Sequence, residues 1–253
     1  MKEEGSGEKE KLFDLIIHDL TGPLSIASAS TDSLLHKAAR YGPLTEAQKR
    51  VVERILRNIR KAQTLLHEMI EISRSGEGVF KRDLFPVSRI LKEALVDTLE
   101  MIDFQAAEKL IPVEDSEELR SLLRASKISI DVKGRYCHSP FCHDAKKMRQ
   151  ILRNLISNAL KYRRENMSVT IEGERDLIIC VEDDGFGIPA EAHEAVFRRF
   201  VRLKDQRHGD VPGYGLGLTG VKALVEAMGG EVSLVSNEES GTCFTVRIPP
   251  IQS

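Results

Sequence analysis

RNLISNALKY, residues 153–162, lies inside a helix-period run that extends over residues 144–165. Asn154, Asn158 and Lys161 fall at i, i+4 and i+7 and so line one face of that helix, while Ile151, Leu152, Leu155, Ile156 and Ala159 gather on another. An apolar face of that width needs a surface to cover. The surrounding sequence supplies one. Period-two alternation marks strands at 127–133, 168–173, 176–182, 231–236 and 242–248, and further helical runs occupy 88–102 and 216–228, the second stopped by Gly229 and Gly230. Helices and strands interleaved in this order predict an α/β sandwich, a mixed sheet covered by helices on one face. Residues 103–126 fit no strand and read as extra helix or loop.

Upstream the pattern is purely helical. Ile17, Leu20, Leu24, Ala27, Thr31 and Leu34 step by 3, 4, 3, 4, 3, and Val52, Ile55, Ile59, Ala62, Leu66 and Met69 repeat the same steps. Tyr41, Gly42 and Pro43 break the run between them, and Thr45 reads as an N-cap. Two heptad-patterned helices joined by a short turn predict an antiparallel hairpin. Val51, Leu56, Leu65 and Ile70 flank its seam, and pairing two hairpins into a dimeric four-helix bundle would bury that apolar surface. The whole chain is thus expected to be α+β. Residues 1–10 form a frayed, flexible N-terminus, 11–75 the hairpin and 76–253 the sandwich.

Composition narrows the class. The 253 residues are 41% hydrophobic and 30% charged with a formal net charge of −2, so no basic field argues for nucleic acid or anionic lipid. No apolar run approaches the roughly 18–20 residues that span a bilayer, and MKEEGSGEKE is no signal peptide. The expectation is a cytoplasmic chain without a membrane segment, whose sensor, membrane-bound or soluble, lies outside this sequence. Cys180 and Cys243 sit in strand-like runs, where a small buried thiol is the usual reading. Cys137-His138 and Cys142-His143 bring zinc-type ligands close together, but the spacing lacks a C-x2-C pair and no second cluster completes it. A strand-to-helix turn accounts for them better.

Three further clusters carry chemistry. Two carboxamides and an ammonium on one helical stripe can hold a hydrated magnesium and its phosphates, although a solvated polar face explains that helix alone equally well. After the strand LIICVE comes DDGFGIP, 183–189, where an acid at a strand end can accept a hydrogen bond from an exocyclic amine and the glycines let the backbone approach a ring. GYGLGL, 213–218, opens a helix whose free N–H groups and dipole favour phosphate. It is neither a Walker loop nor a Rossmann fingerprint. HDLTGPL, 18–24, is the last. A lone helical histidine is usually a surface residue, but with Ile17 and Leu20 in the seam His18 falls just outside it, toward solvent. Neutral imidazole is nucleophilic, Asp19 can take its proton, and Gly22 and Pro23 weaken the helix just beyond.

Taken together these clusters resemble the GHKL, or Bergerat-fold, ATP-binding superfamily and, within it, the sensor histidine kinases of two-component signalling. The resemblance covers about residues 11–253. HDLTGPL is similar to the family's H box, RNLISNALKY to its N box, DDGFGIP to its G1 box, VFRRF (196–200) to its F box and GYGLGL to its G2 box. It implies a homodimeric kinase that phosphorylates His18 from ATP with Mg2+, assisted by Asp19, and passes the phosphoryl group to an aspartate in the receiver domain of a response regulator. It also implies that Asp183 binds adenine, that Asn158, helped by Asn154, ligates Mg2+, and that Lys161 and Tyr162 lie near phosphates and ribose. Gly185, Gly187, Gly213, Gly215, Gly217 and Leu218 would line the nucleotide, and residues 201–212 would form a lid with Arg202, Lys204 and Arg207 as phosphate contacts.

The sequence departs from the family at three positions. Thr21 replaces a common basic residue. Gly22 stands where many members carry the Thr or Asn that orients water for dephosphorylating the regulator, which implies weak phosphatase activity. Asp184 replaces a common Asn and implies extra negative charge near the nucleotide. Gly22 and Asp184 keep open a second reading, a kinase-like regulator that has lost catalysis and binds partners through the hairpin. A third, a non-kinase GHKL ATPase, is opposed by the H box and the heptads.

Overall fold

The computed structural model describes residues 4–74, 80–198, 201, 215–237 and 240–251, with side chains from residue 19 onward except 38–39, 61, 64–65 and 67–74. The chain divides into two compact units, residues 1–74 and 75–253.

The first unit holds α1 (Glu4–His36), α2 (Ala38–Tyr41) and α3 (Glu46–Arg74), with α1 packed against α3. Helix α1 takes in residues 4–10 as well and runs through Pro23. At the start of α3, Thr45 Oγ1 accepts from Gln48 N at 3.3 Å while Thr45 N donates to Gln48 Oε1 at 3.0 Å, a reciprocal capping box. The seam differs from expectation by one helical position. Leu56 is 5% exposed and belongs to it together with Leu66, whereas Ile55 is 45% and Leu20 46% exposed. Adjacent residues on a helix lie about 100° apart, so Leu56 takes the place expected for Ile55 while Leu66 keeps its own. Thr31 stays buried because its hydroxyl donates to Ala27 O at 2.7 Å. Leu20, Ile26, Leu34, Val51 and Ile55 form the apolar outer surface of this unit.

The second unit is α+β. A five-stranded sheet runs β2 (Ile128–Val132), β4 (Met167–Glu172), β5 (Leu177–Asp183), β7 (Gly241–Ile248), β6 (Glu231–Asn237) across its width. β2 and β4 are parallel and the remaining neighbours antiparallel, which makes the sheet mixed. The parallel pair requires a crossover, and helix α7 (Ala145–Tyr162) provides it. Alternate strand residues, among them Val169, Ile171, Ile179, Val181 and Val246, are fully buried on the face that α7 and α8 (Gly217–Ala227) cover. Helix α4 (Val87–Ile102) packs on α7 and buries Ile90, Leu91, Ala94 and Leu95. Thr170, Cys180, Cys243 and Thr245 on the opposite face are only half-buried.

Residues 103–126 form two helices, α5 (Phe104–Leu110) and α6 (Ser116–Ala125). Each begins at an aspartate: Asp103 accepts from Ala106 N, and Asp115 from Glu117 N and Glu118 N. A small antiparallel pair, β1 (Asp83–Phe85) with β3 (Phe141–His143), was not anticipated; it sets Phe85 edge-on to Phe141 at 6.1 Å between ring centres. His143 is buried beside Phe141, its Nδ1 accepting from Asp144 N at 2.8 Å, and burial lowers its pKa despite the charge on Asp144. Among the described residues no group of three or more His, Cys, Asp or Glu is placed to hold a metal ion, and no helix is long and apolar enough to cross a membrane.

Candidate active site

Helix α7 is placed by both ends. Asp144 caps its start, accepting from Lys147 N at 3.0 Å and also from Lys81 N, while Arg163 leaves it in extended conformation. The helix therefore ends at Tyr162, three residues short of the periodicity, because residues 163–166 turn back toward the sheet. Its apolar face (Ile151, Leu152, Leu155, Ile156, Ala159) is buried, which leaves Asn154 and Asn158 half-buried on the adjoining stripe and Lys161 and Tyr162 exposed.

The acid of the next motif closes β5. Asp183 is 5% exposed and accepts from Gly185 N at 2.9 Å. Burial pushes its pKa up to about 6, against the Gly185 N–H that lowers it, with the charges of Asp184 and Glu182 adding to the rise. A buried carboxylate with so little compensation suits a ligand that brings its own donor. Gly185 is required here by space: a Cβ at that position would lie 2.3 Å from the Tyr162 carbonyl oxygen and 2.6 Å from Asp183 Oδ1. The end of α7 and the end of β5 are thus in direct backbone contact. Gly187 follows at φ 75°, a conformation that favours glycine.

Helix α8 completes the arrangement. Gly215 precedes it, also at positive φ, and Gly217 begins it close enough to α7 that a Cβ there would touch Asn154 at 3.9 Å. Leu218 is half-buried beside it. The hydroxyl of Thr219, one residue further on, is buried and has no partner among the described residues. An orphaned hydroxyl and free N–H groups in the first turn of a helix fit an anionic ligand. The structure therefore joins Tyr162 to Gly185 and Asp183, and Asn154 to Gly217. Arg202, Lys204, Arg207 and Gly213 lie outside the described residues, as do the side chain of His18 and the last two residues of VFRRF. Asp19 is exposed on α1.

Asp184 corrects an expectation. Its carboxylate does not stand as free charge facing a ligand. It accepts from the backbone N–H groups of Arg164, Glu165 and Asn166 and from Asn166 Nδ2, at 2.8 to 3.0 Å. Burial alone would raise its pKa, but these four donors outweigh it and hold the group at about 2. Successive strand residues face opposite ways, so the acid after Asp183 turns away from it. That alternation was the available clue, and Asn166 had none. Asp184→Ala should cost about 1–3 kcal/mol in chemical denaturation of the full chain, since the loop loses its acceptor. The carboxylate's own pKa is below its ordinary 3.8, so its contribution is complete above about pH 4 and disappears as pH falls through about 2. An unchanged denaturation midpoint at neutral pH would contradict this role.

Comparison with known proteins agrees with this geometry. The family of histidine kinase-, DNA gyrase B- and HSP90-like ATPases matches residues 143–252. The circadian input-output histidine kinase CikA of Synechococcus elongatus is 29% identical over 98% of this chain and 31% of its own length. The sensor histidine kinase WalK of Bacillus subtilis is 28% identical over 98% of this chain and 38% of its own. The chain thus spans about a third of the length of these curated relatives. Among solved structures, full-length ShkA in complex with AMPPNP shares the fold with a TM-score of 0.67 and 23% identity, over 96% of this chain and 46% of that one. The histidine kinase AdeS of Acinetobacter baumannii does so at 0.55 and 20%, over 93% and 98%. The chain is similar to these sensor histidine kinases over nearly all of its length, and the ATPase family model matches most of its second unit.

Proposed function

We propose that this chain is a histidine kinase core that autophosphorylates His18 from Mg-ATP and transfers the phosphoryl group to an aspartate of a response-regulator receiver domain. In this reading residues 11–75 are the dimerisation and phosphotransfer hairpin and 76–253 the catalytic domain. The observation that carries it is the buried Asp183 carboxylate at the end of β5, which accepts from Gly185 N, on the unit in which the first turn of α8 lies against Asn154 of α7. Asp183 would accept the exocyclic amine of adenine, and the N–H groups at the start of α8, with Thr219, would receive phosphate. Asn158 and Asn154 would offer amide oxygens to magnesium, which when bound screens the charge of the triphosphate. Lys161 adds a point charge beside them. On α1, Asp19 would take the proton from the His18 imidazole as the N–P bond forms. The apolar outer surface of the hairpin supports a homodimer, because a second copy would bury Leu20, Leu34, Val51 and Ile55.

The test is incubation with γ-labelled ATP followed by acid. A phosphoramidate loses its label in acid, whereas a seryl phosphate keeps it. Absence of label, or label that survives acid, would overturn the proposal.

Gly22 makes a second measurement informative. A Cβ at position 22 would meet nothing within 4 Å, so Gly22→Thr fits α1 without a clash and should change helix stability by only a few tenths of a kcal/mol. The added hydroxyl can orient water. The variant should therefore speed phosphate loss from the phosphorylated regulator relative to wild type at equal dimer concentration. Equal decay rates would show that position 22 does not limit this step.

A further inference from the structure

Strand β6 ends the sheet, and among the described residues it pairs with β7 alone. In an antiparallel pair every second residue turns its N–H and C=O away from the neighbour, so the outer side of β6 is a row of main-chain donors and acceptors. Edge strands are commonly guarded by charge, proline or a bulge. From Val232 to Asn237 this one has no charged residue and no proline, and its register with β7 is unbroken. Val235 is 72% exposed. The other end of the sheet differs, since β2 packs against α6 and carries Asp131, paired with Lys133 at 3.0 Å. Beside β6, Leu234 borders a groove of about 430 Å³ whose other walls are Lys222 of α8 and His193, Glu194, Phe197 and Arg198. Leu234 and Phe197 are its apolar part, and Phe197 lies edge-on at 6.1 Å to Phe244, the β7 neighbour of Leu234. Lys222 Nζ stands over the Phe197 ring, 5.6 Å from its centre, and is held only loosely by Glu226 at 3.9 Å; Arg198 is exposed. Two cations and a histidine in the groove thus face a single acid, Glu194.

We propose that β6 and this groove dock an extended acidic segment of a partner protein as a sixth strand of the sheet. The free N–H and C=O groups fix the form of the occupant, since another extended backbone repeats their spacing and a helix does not. The groove fixes its side chains. Alternate residues of an added strand point to the side on which the groove lies, where Leu234 and Phe197 receive an apolar residue and Arg198 and Lys222 receive an acid. A second copy of this chain does not meet these requirements. Its own β6 offers no acid but Glu231, which Arg247 already holds at 3.3 Å, and joining two such edges would merge two grooves of like charge. The proposal does not depend on the nucleotide reading.

The experiment titrates the full chain into fluorescein-labelled peptides and follows their anisotropy. The peptide Glu-Thr-Val-Thr-Glu-Thr-Val puts acids and valines on one face of a strand and should bind saturably, whereas its counterpart with Lys for Glu should not. N-methylation of every second amide should abolish binding in one frame and spare it in the other, because only one edge of the added strand faces β6. Arg198→Glu combined with Lys222→Glu alters two exposed side chains, so the fold should hold. That variant should bind the acidic peptide about tenfold more weakly and gain affinity for the lysine peptide. No binding of the acidic peptide, equal binding of both, or unchanged affinities in the variant would overturn the proposal. The same follows if the two methylated frames behave alike. Self-association of the chain that Val235→Lys abolishes would assign the edge to a second copy and overturn it as well.

Discussion

A His18→Gln variant is expected to take up no phosphate from labelled ATP while still binding nucleotide and forming the same oligomer as wild type. Gln keeps a polar side chain of similar length and a high helix propensity, so α1 should be undisturbed. What it lacks is a nucleophilic ring nitrogen. The neutral imidazole has an unperturbed pKa near 6.5 and is available for attack at neutral pH; the carboxamide nitrogen is not. The expected effect is loss of all detectable incorporation, read by autoradiography alongside calorimetric ATP binding. Labelling at wild-type level would remove His18 from the reaction and direct the search to the other histidines.

The second large effect has two opposite signs in one variant. Asp183→Asn replaces the buried carboxylate at the end of β5 with an isosteric amide that can still accept from Gly185 N. If Asp183 receives the adenine amine, the loss of a charge-assisted hydrogen bond should cost about 1.5–3 kcal/mol, roughly a tenfold to hundredfold weaker Kd. Without ligand the same change should stabilise the protein. The folded pKa of about 6 lies above the ordinary 3.8, so the folded state holds this proton more tightly than the unfolded one and ionisation opposes folding. That penalty is absent below about pH 4, grows as pH rises, and is complete above about pH 6. Asp183→Asn should thus gain about 1–3 kcal/mol at pH 7.5 and nothing at pH 4. Wild-type affinity for ATP should itself decline as pH drops below about 6, where the carboxylate takes a proton. Unchanged affinity in the variant would mean that the adenine pocket is elsewhere, and unchanged stability would mean that the carboxylate is better solvated than its burial indicates.

Much of this molecule was legible before its structure was. The long elements show themselves because they have two full periods or more to do so: α4, α7, α8 and the five strands of the sheet all fall within a few residues of where the apolar pattern puts them. Elements of three residues cannot show a period, which is why β1 and β3 were invisible. Their pairing rests on Phe85 and Phe141, residues distant in sequence. Helices α5 and α6 lie between these cases. Asp103 and Asp115 cap them, but the apolar positions behind these caps are too few to separate helix from loop in the sequence. The exchange of Ile55 for Leu56 in the hairpin seam has a related cause, since the two are equally apolar and only packing against α1 chooses between them. In the candidate site, the motifs single out Asp183, Gly185 and the asparagine face. They did not reveal what Asp184 does, because its partners are main-chain N–H groups that no side-chain pattern records.

Three consecutive residues at the end of β5 perform three tasks in three directions. Asp183 is turned inward, Asp184 holds the 163–166 loop, and Gly185 makes room for the Tyr162 carbonyl. Such a segment tolerates no change of length. Deleting one residue would move an acid into the place of the glycine, against a carbonyl oxygen, and turn the remaining carboxylate toward the wrong side. The spacing of the three is therefore fixed, and Gly185 leaves no room for a side chain beside the Tyr162 carbonyl. Gains and losses of residues in this unit are expected to accumulate elsewhere.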